Sequence, residues 1–168
     1  MVLFFSLINF FSWLALFKYQ SPLLLGYAVG QVTSSSMEPT LKLKDSVVYK
    51  TSWLNLHRND IIIALKVPKQ NGGGFINVSK RIAAIPGDKV FICDYNVYVN
   101  GVPFYKDSDR NVDCVHVENI ALESDEYYLL GENKFASYDS RFFGVINRES
   151  ISAIAIYKVS EDLTVTYF

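Results

Sequence analysis

The chain opens on one hydrophobic pattern and continues on another. Residues 2–17, VLFFSLINFFSWLALF, are sixteen positions without a charge. As a helix rising about 1.5 Å per residue they would cover roughly 24 Å, a little less than a hydrocarbon core of about 30 Å. Lys18 and Gln20 interrupt the run, which resumes over 23–29. Lys18 can snorkel to headgroups, and Trp13 and Tyr19 suit the interface. The segment lacks the basic flank and small-residue cleavage site of a removed signal peptide. The pattern predicts a single membrane-anchoring helix within 1–30, with a buried core helix as the main competitor.

From Asp45 onward the period becomes two. SVVYK at 46–50, DIIIALKV at 60–67, INVSKRIAAI at 76–85, KVFIC at 89–93 and NVYV at 96–99 read as strands, the second buried on both faces. EYYLLG at 126–131 and SISAIAIYKV at 150–159 supply the last strands. Asn71 to Gly74 is a flexible loop, Pro86-Gly87-Asp88 turns the chain, and Asn100-Gly101 predicts a type I′ hairpin. The stretch 106–117 is polar and irregular. No segment past residue 30 sustains an apolar stripe of period 3.6. The expected fold is mainly β: an antiparallel, partly closed, barrel-like domain over 31–168, preceded by the anchor over 1–30.

Composition narrows the function. Lys and Arg total 16 against 17 acids in 168 residues, and only Lys18 is charged before Glu38. That balance carries no electrostatic footprint for nucleic acid. Two cysteines and two histidines argue against a zinc finger, an iron–sulfur site or a polyhistidine centre, so no metal or organic cofactor is expected. Phosphate-binding loops, HExxH and CxxC are absent from the sequence. His57, in NLHRND, and His116 suit surface positions, which leaves a Ser-His-Asp triad unsupported. Cys93 and Cys114 can form a disulfide in an oxidising compartment or remain as two buried thiols.

Three local patterns carry chemistry. Ser34-Ser35-Ser36-Met37-Glu38-Pro39-Thr40 follows the apolar segment directly, and by itself would read as a turn or linker. In the strand 76–85, Ile76, Val78, Lys80, Ile82 and Ala84 share one face, with Asn77, Ser79 and Arg81 on the other. Lys80 is thus in phase with aliphatic side chains, where lost hydration disfavours the ammonium form. Neutrality at pH 7 requires a fall of about 3.4 pH units from a reference near 10.4, roughly 4.6 kcal/mol, which full burial can supply. A neutral lysine amine can take a proton from a serine hydroxyl. The third pattern, GENKFASYDSRFFG at 131–144, packs small and charged residues into a connection that an Asp139–Arg141 pair could brace.

Taken in this order, the three patterns resemble the boxes of the type I signal peptidases, membrane-anchored Ser-Lys proteases, over the chain from the anchor to about residue 157. The resemblance implies Ser36 as nucleophile, Lys80 as general base with Arg81 beside it, and Ser34 as an oxyanion-hole hydroxyl next to the Ser36 N–H. It implies that Ser137 orients the lysine amine, that Asp139 and Arg141 brace the site, and that NDIIIALKVP lines the substrate groove. Glu132 stands where the family usually has Asp, Lys134 where Arg is usual, and Asn59 in place of a common glycine. The implied partners are membrane lipid and preprotein signal peptides with small residues before the cut. The implied location is the outer side of a bacterial cytoplasmic membrane, or the mitochondrial inner membrane. Conjugative pilin-maturing peptidases and mitochondrial inner-membrane processing peptidases share the chemistry; the first typically lack a complete Ser-Met-x-Pro-Thr box, while the second share the boxes and stay open as an alternative. A non-enzymatic membrane-tethered β-module acting as a partner subunit is the alternative from another class; its signature, loss of Ser36 or Lys80, is not seen. Self-cleaving repressors need a DNA-binding helical domain where this chain has its apolar run.

Overall fold

The computed structural model describes residues 26–52, 55–105 and 113–168. In chain order the strands are β1 (Tyr27–Gln31), β2 (Ser46–Lys50), β3 (Ile61–Pro68), β4 (Phe75–Ala84), β5 (Lys89–Cys93), β6 (Asn96–Val99), β7 (Val102–Pro103), β8 (Val117–Ala121), β9 (Glu126–Leu130), β10 (Ile146–Asn147), β11 (Ile151–Val159) and β12 (Val165–Tyr167). A helical turn, α1 (Ser140–Phe143), lies between β9 and β10. The segments of clear alternation are therefore strands, as expected. Asn100 and Gly101 both take positive φ, 51° and 79°, as the type I′ hairpin between β6 and β7 requires.

All the strand pairs are antiparallel, in two sheets. The larger runs β1-β2-β11-β3-β4-β9-β10, with β12 also on β11; the smaller runs β7-β6-β5-β8. Among the described residues no pairing joins β1 to β10, so the larger sheet is open and the expected barrel closure is absent. The stretch of β11 opposite β3 and the stretch opposite β12 follow one another along the same strand, and a register shift in β11 between Ala155 and Tyr157 lies between them. Such irregularities bend a strand without closing the sheet.

The two sheets meet on β4 and β9, whose residues divide between cores. Tyr127 and Leu129 enter a cluster with Ile62, Ala64 and Ile82, while Tyr128 and Leu130 enter one with Val90, Val97 and Leu122. That is why EYYLL reads as a continuous apolar run: both of its faces are covered. A third cluster, with Met37, Leu41, Val47, Tyr49, Ile61 and Ala153, fastens the β1–β2 connection to the larger sheet.

Two expectations about the N-terminal part change. Residues 1–25, most of the expected anchor, lie outside the described residues. Tyr27–Gln31, largely inside the span assigned to the anchor, instead pairs with β2 as the first strand of the sheet. Among the described residues no helix is long and apolar enough to cross a membrane. The two cysteines, left open from sequence, are joined: a Cys93–Cys114 disulfide ties the end of β5 to the segment before β8.

Leu129 is fully buried in the centre of this arrangement. Its replacement by Ala is expected to cost about 2–5 kcal/mol in urea denaturation at an unchanged m-value, the behaviour of a core cavity in a cooperative domain.

Candidate active site

The alternation of β4 continues through Lys80. Val78 and Ile82 flank it on the same face at 9% and 0% exposure, and Lys80 itself is 4% exposed. A side chain that ends in an amine thus lies among aliphatic neighbours, where the protein must supply its polar partners. The Nζ bonds to the Ser79 carbonyl oxygen at 3.1 Å and to the Ser36 hydroxyl at 2.7 Å.

Ser36 reaches it from the β1–β2 connection. The base of that connection is closed by Val32 N–H donating to the Asp45 carbonyl at 2.9 Å and Lys44 N–H to the Val32 carbonyl at 3.0 Å. The Asp45 carboxylate accepts from Lys42 N–H at 3.0 Å and from Lys158 Nζ on β11 at 2.8 Å. Lys158 and its hydrogen bonds hold that carboxyl below its ordinary range against the opposing effect of burial. Met37 and Leu41, both almost wholly buried, pin the following turn in the third core. The apolar residue after the nucleophile candidate therefore sets its position, and Ser36 is left 6% exposed with its hydroxyl on Lys80.

The other expected residues are close by. Ser34 Oγ lies 3.2 Å from Ser36 Oγ, within reach of an atom attacked by that hydroxyl. Asp139 and Arg141 form a pair whose side chains are 0% and 3% exposed, with Arg141 Nε and Nη2 each 2.8 Å from a carboxylate oxygen. Asp139 also caps α1 by accepting from Arg141 N–H, and accepts from Gly131 N–H at 3.0 Å. The guanidinium lies over Tyr105 and Phe142. Burial is the main reason that the Lys80 amine falls from an ordinary 10.5 to about 8; Asp139 opposes that fall and Arg141 adds to it.

Ser137 departs from expectation in one respect. It is buried beside Gly131, but among the described residues its hydroxyl makes no hydrogen bond, and the bonds of Lys80 go to Ser36 and Ser79. The close approach of Gly131 explains its position: a Cβ there would lie 2.1 Å from Ser137 Oγ and 2.6 Å from the Ser36 carbonyl oxygen. Sequence reading also missed how Glu132 links the boxes. Its carboxylate accepts from Arg81 Nε at 2.9 Å and from Arg81 Nη2, and from Thr40 N–H at 3.3 Å, while Arg81 Nη1 reaches the Asn59 carbonyl. The only sequence sign of this link is that Arg81 lies on the opposite strand face from Lys80, turned away from the Ser36–Lys80 contact. His57 is exposed and pairs with Asp60 rather than with a serine. Among the described residues no group of three or more His, Cys, Asp and Glu side chains could hold a metal ion.

A family model described as "Signal peptidase, peptidase S26" matches residues 22–159. Probable signal peptidase I-2 of Synechocystis sp. is 34% identical over 128 residues, 71% of this chain and 57% of that protein. Signal peptidase I of Leptolyngbya laminosa is 28% identical over 135 residues, covering 76% and 66%, and signal peptidase I U of Bacillus subtilis is 29% identical over 122 residues, covering 66% and 63%. The chain thus spans roughly three fifths of the length of these curated relatives. A crystal structure of a signal peptidase I from Enterococcus faecalis aligns at a TM-score of 0.44 and 25% identity, over 61% of this chain and 98% of that one.

A lysine that titrates near 8 when folded and near 10.5 when unfolded makes the unfolded chain bind more protons between those values, so stability rises as pH passes from about 8 to about 10.5. Below that window the buried charge costs about 3 kcal/mol. Lys80→Met is therefore expected to raise the urea midpoint at pH 7 and to flatten this alkaline rise. Gly131→Ala should have the reverse effect, a loss of about 1–3 kcal/mol from overpacking against a backbone oxygen, read as a lowered urea midpoint.

Proposed function

The chain belongs to the signal peptidase family, and we propose that it is a serine endopeptidase that removes signal peptides from exported preproteins, with Ser36 as nucleophile and Lys80 as general base. The observation that carries this reading is the 2.7 Å contact between Ser36 Oγ and a buried Lys80 Nζ that loses its proton near pH 8. At pH 7 about a tenth of the amines are neutral, enough to act as a base.

In the proposed reaction the Ser36 oxygen attacks the scissile carbonyl and passes its proton to Lys80. The Ser34 hydroxyl and the Ser36 N–H, which donates to no backbone carbonyl among the described residues, lie next to the oxygen that becomes negative. Lys80 returns the proton to the leaving amine as the C–N bond breaks, leaving an ester on Ser36. A water then gives a proton to Lys80 and attacks the ester, and the Ser36 oxygen leaves with that proton. Asp139 and Arg141 keep the 131–144 connection against the dyad, and Ser137 fills the space beside Gly131.

The same geometry supports a mode of substrate binding. β4 pairs with β9 only from Arg81 onward, so among the described residues Phe75–Lys80 keeps one edge without a strand partner beside the dyad. An extended segment ending at the cut can add there as a strand, its alternate side chains facing the protein, and small residues such as Ala fit one and three positions before the cut. The apolar run 2–17 serves as the membrane anchor, and the Cys93–Cys114 disulfide supports a catalytic domain on the oxidising, outer side of a bacterial cytoplasmic membrane.

Detergent-solubilised protein is expected to cut a preprotein with an Ala-x-Ala site after the second Ala, and Lys80→Ala to cut at least a hundredfold more slowly. In the wild type, kcat/KM should climb about tenfold per pH unit below about 8 and level off above it, since only the neutral amine accepts the proton. Equal cutting by both proteins, or a rate flat from pH 6 to 9, contradicts the assignment of Lys80.

A further inference from the structure

A cavity of about 920 Å³ borders the dyad without including it. Its lining includes the apolar Ala83, Val99 and Phe104 and the charged Glu38, Arg81 and Glu132. Its volume and mixed lining suit a ligand rather than a packing defect. Its position follows from two stretches of chain that pass the dyad together. In β4, residues up to Ser79 belong to the unpaired edge, Lys80 is at the dyad, and Arg81 and Ala83 line the cavity. In the nucleophile turn, Ser34 precedes Ser36, while Glu38, Pro39 and Thr40 line the cavity. The order along β4 is edge, dyad, cavity, and along the nucleophile turn it is dyad, then cavity. A polypeptide whose segment before the cut occupies the edge enters the cavity with the segment after it.

The charges around the cavity are mostly engaged. Arg58 Nη2 is 2.6 and 2.8 Å from the two Asp88 carboxylate oxygens, and Arg81 is held by Glu132. Lys134 donates to Asn96 Oδ1 at 2.6 Å and lies over the Tyr105 and Phe135 rings. Glu38 is half-buried, two residues from the nucleophile, and its carboxylate has no ion pair or hydrogen bond among the described residues.

We propose that this cavity holds the first residues of the mature chain released by cleavage, and that Glu38 makes it a charge-selective subsite that favours a basic over an acidic side chain just after the cut. The proposal rests on the peptidase reading and adds to it a second determinant of specificity, on the far side of the scissile bond from the small residues. An unpaired, half-buried carboxylate lining the cavity attracts Lys or Arg and repels Asp or Glu more strongly than an exposed one would.

The test uses the full chain in detergent and peptides with one Ala-x-Ala site, followed by six residues, with Lys, Gln or Glu at the first, second or third position after the cut. The wild type is expected to cleave the Lys peptide about fivefold faster than the Glu peptide, by kcat/KM, at one or more of these positions. Glu38→Lys should invert that ratio at the same position, and 0.5 M salt should shrink it in both proteins. Shortening the segment after the cut to one residue should raise KM about tenfold in the wild type. Cleavage of all peptides with a ratio within twofold of one at every position overturns the proposal and leaves the peptidase reading standing. A ratio unchanged in Glu38→Lys, or a KM indifferent to truncation, does the same. No cleavage of any peptide overturns both.

Discussion

Keeping Lys80 out of water governs the arrangement of the rest of the site. An ammonium group placed between Val78 and Ile82 gives up hydration, and the structure restores only part of that loss through the Ser36 hydroxyl and the Ser79 carbonyl. The remainder appears as an amine that releases its proton near pH 8 rather than at 10.5. An ion pair with Lys80 would have stabilised the fold, and would also have kept the amine charged. Instead the nearby carboxylate, Asp139, bonds to Arg141, Gly131 N–H and the first turn of α1. Its field reaches Lys80 without a direct contact, and the Arg141 charge offsets part of it. The site accepts an instability of a few kcal/mol at neutral pH in return for an amine that is partly neutral there, as the proposed base requires.

That balance depends on three parts of the chain far apart in sequence. β4 supplies the lysine and, through its partial pairing with β9, leaves an open edge next to it. The β1–β2 connection supplies Ser36, located by Met37 and Leu41 in one core and by the buried Asp45–Lys158 pair at its base. The 131–144 connection supplies Gly131, whose lack of a side chain lets Ser137 and the Ser36 backbone close in. Glu132, in the third part, then ties it to the second through Thr40 and to the first through Arg81. The two sheets matter because their packing on opposite faces of β4 and β9 sends Lys80 to one side and Arg81 and Ala83 to the other, toward the cavity.

Much of this was legible in the chain before folding. The strands with two environments wrote themselves as alternation, as in β4, and the strand with two cores as a continuous apolar run, as in β9. Strands that bury almost nothing left no such mark. β8 and β12 are exposed along nearly their whole length, so their residues are under no periodic constraint, and they are strands only because β5 and β11 offer an edge. β1 was obscured for the opposite reason: YAVGQ continues an apolar run, and nothing local distinguishes the end of an anchor from the start of a sheet. Barrel closure was overread, since pairing between the first and last strands of a sheet is a property of its total bend and not of any segment.

By itself the sequence determined the strand periods, the hairpin at Asn100-Gly101, the phase that turns Lys80 inward, and the residue types of a Ser-Lys pair in boxes that resemble one family. These are local quantities, set by spacing along a few residues, and physics at that range can be read in one dimension. Tertiary structure alone decided that Ser36 and Lys80, 44 positions apart, come within 2.7 Å, that Cys93 and Cys114 are bonded, that Ser137 sits against Gly131 rather than on the lysine, and that Glu38 faces a cavity without a partner. Each of those depends on distances between separate segments, and on how much water the fold removes from between them, which no single segment encodes.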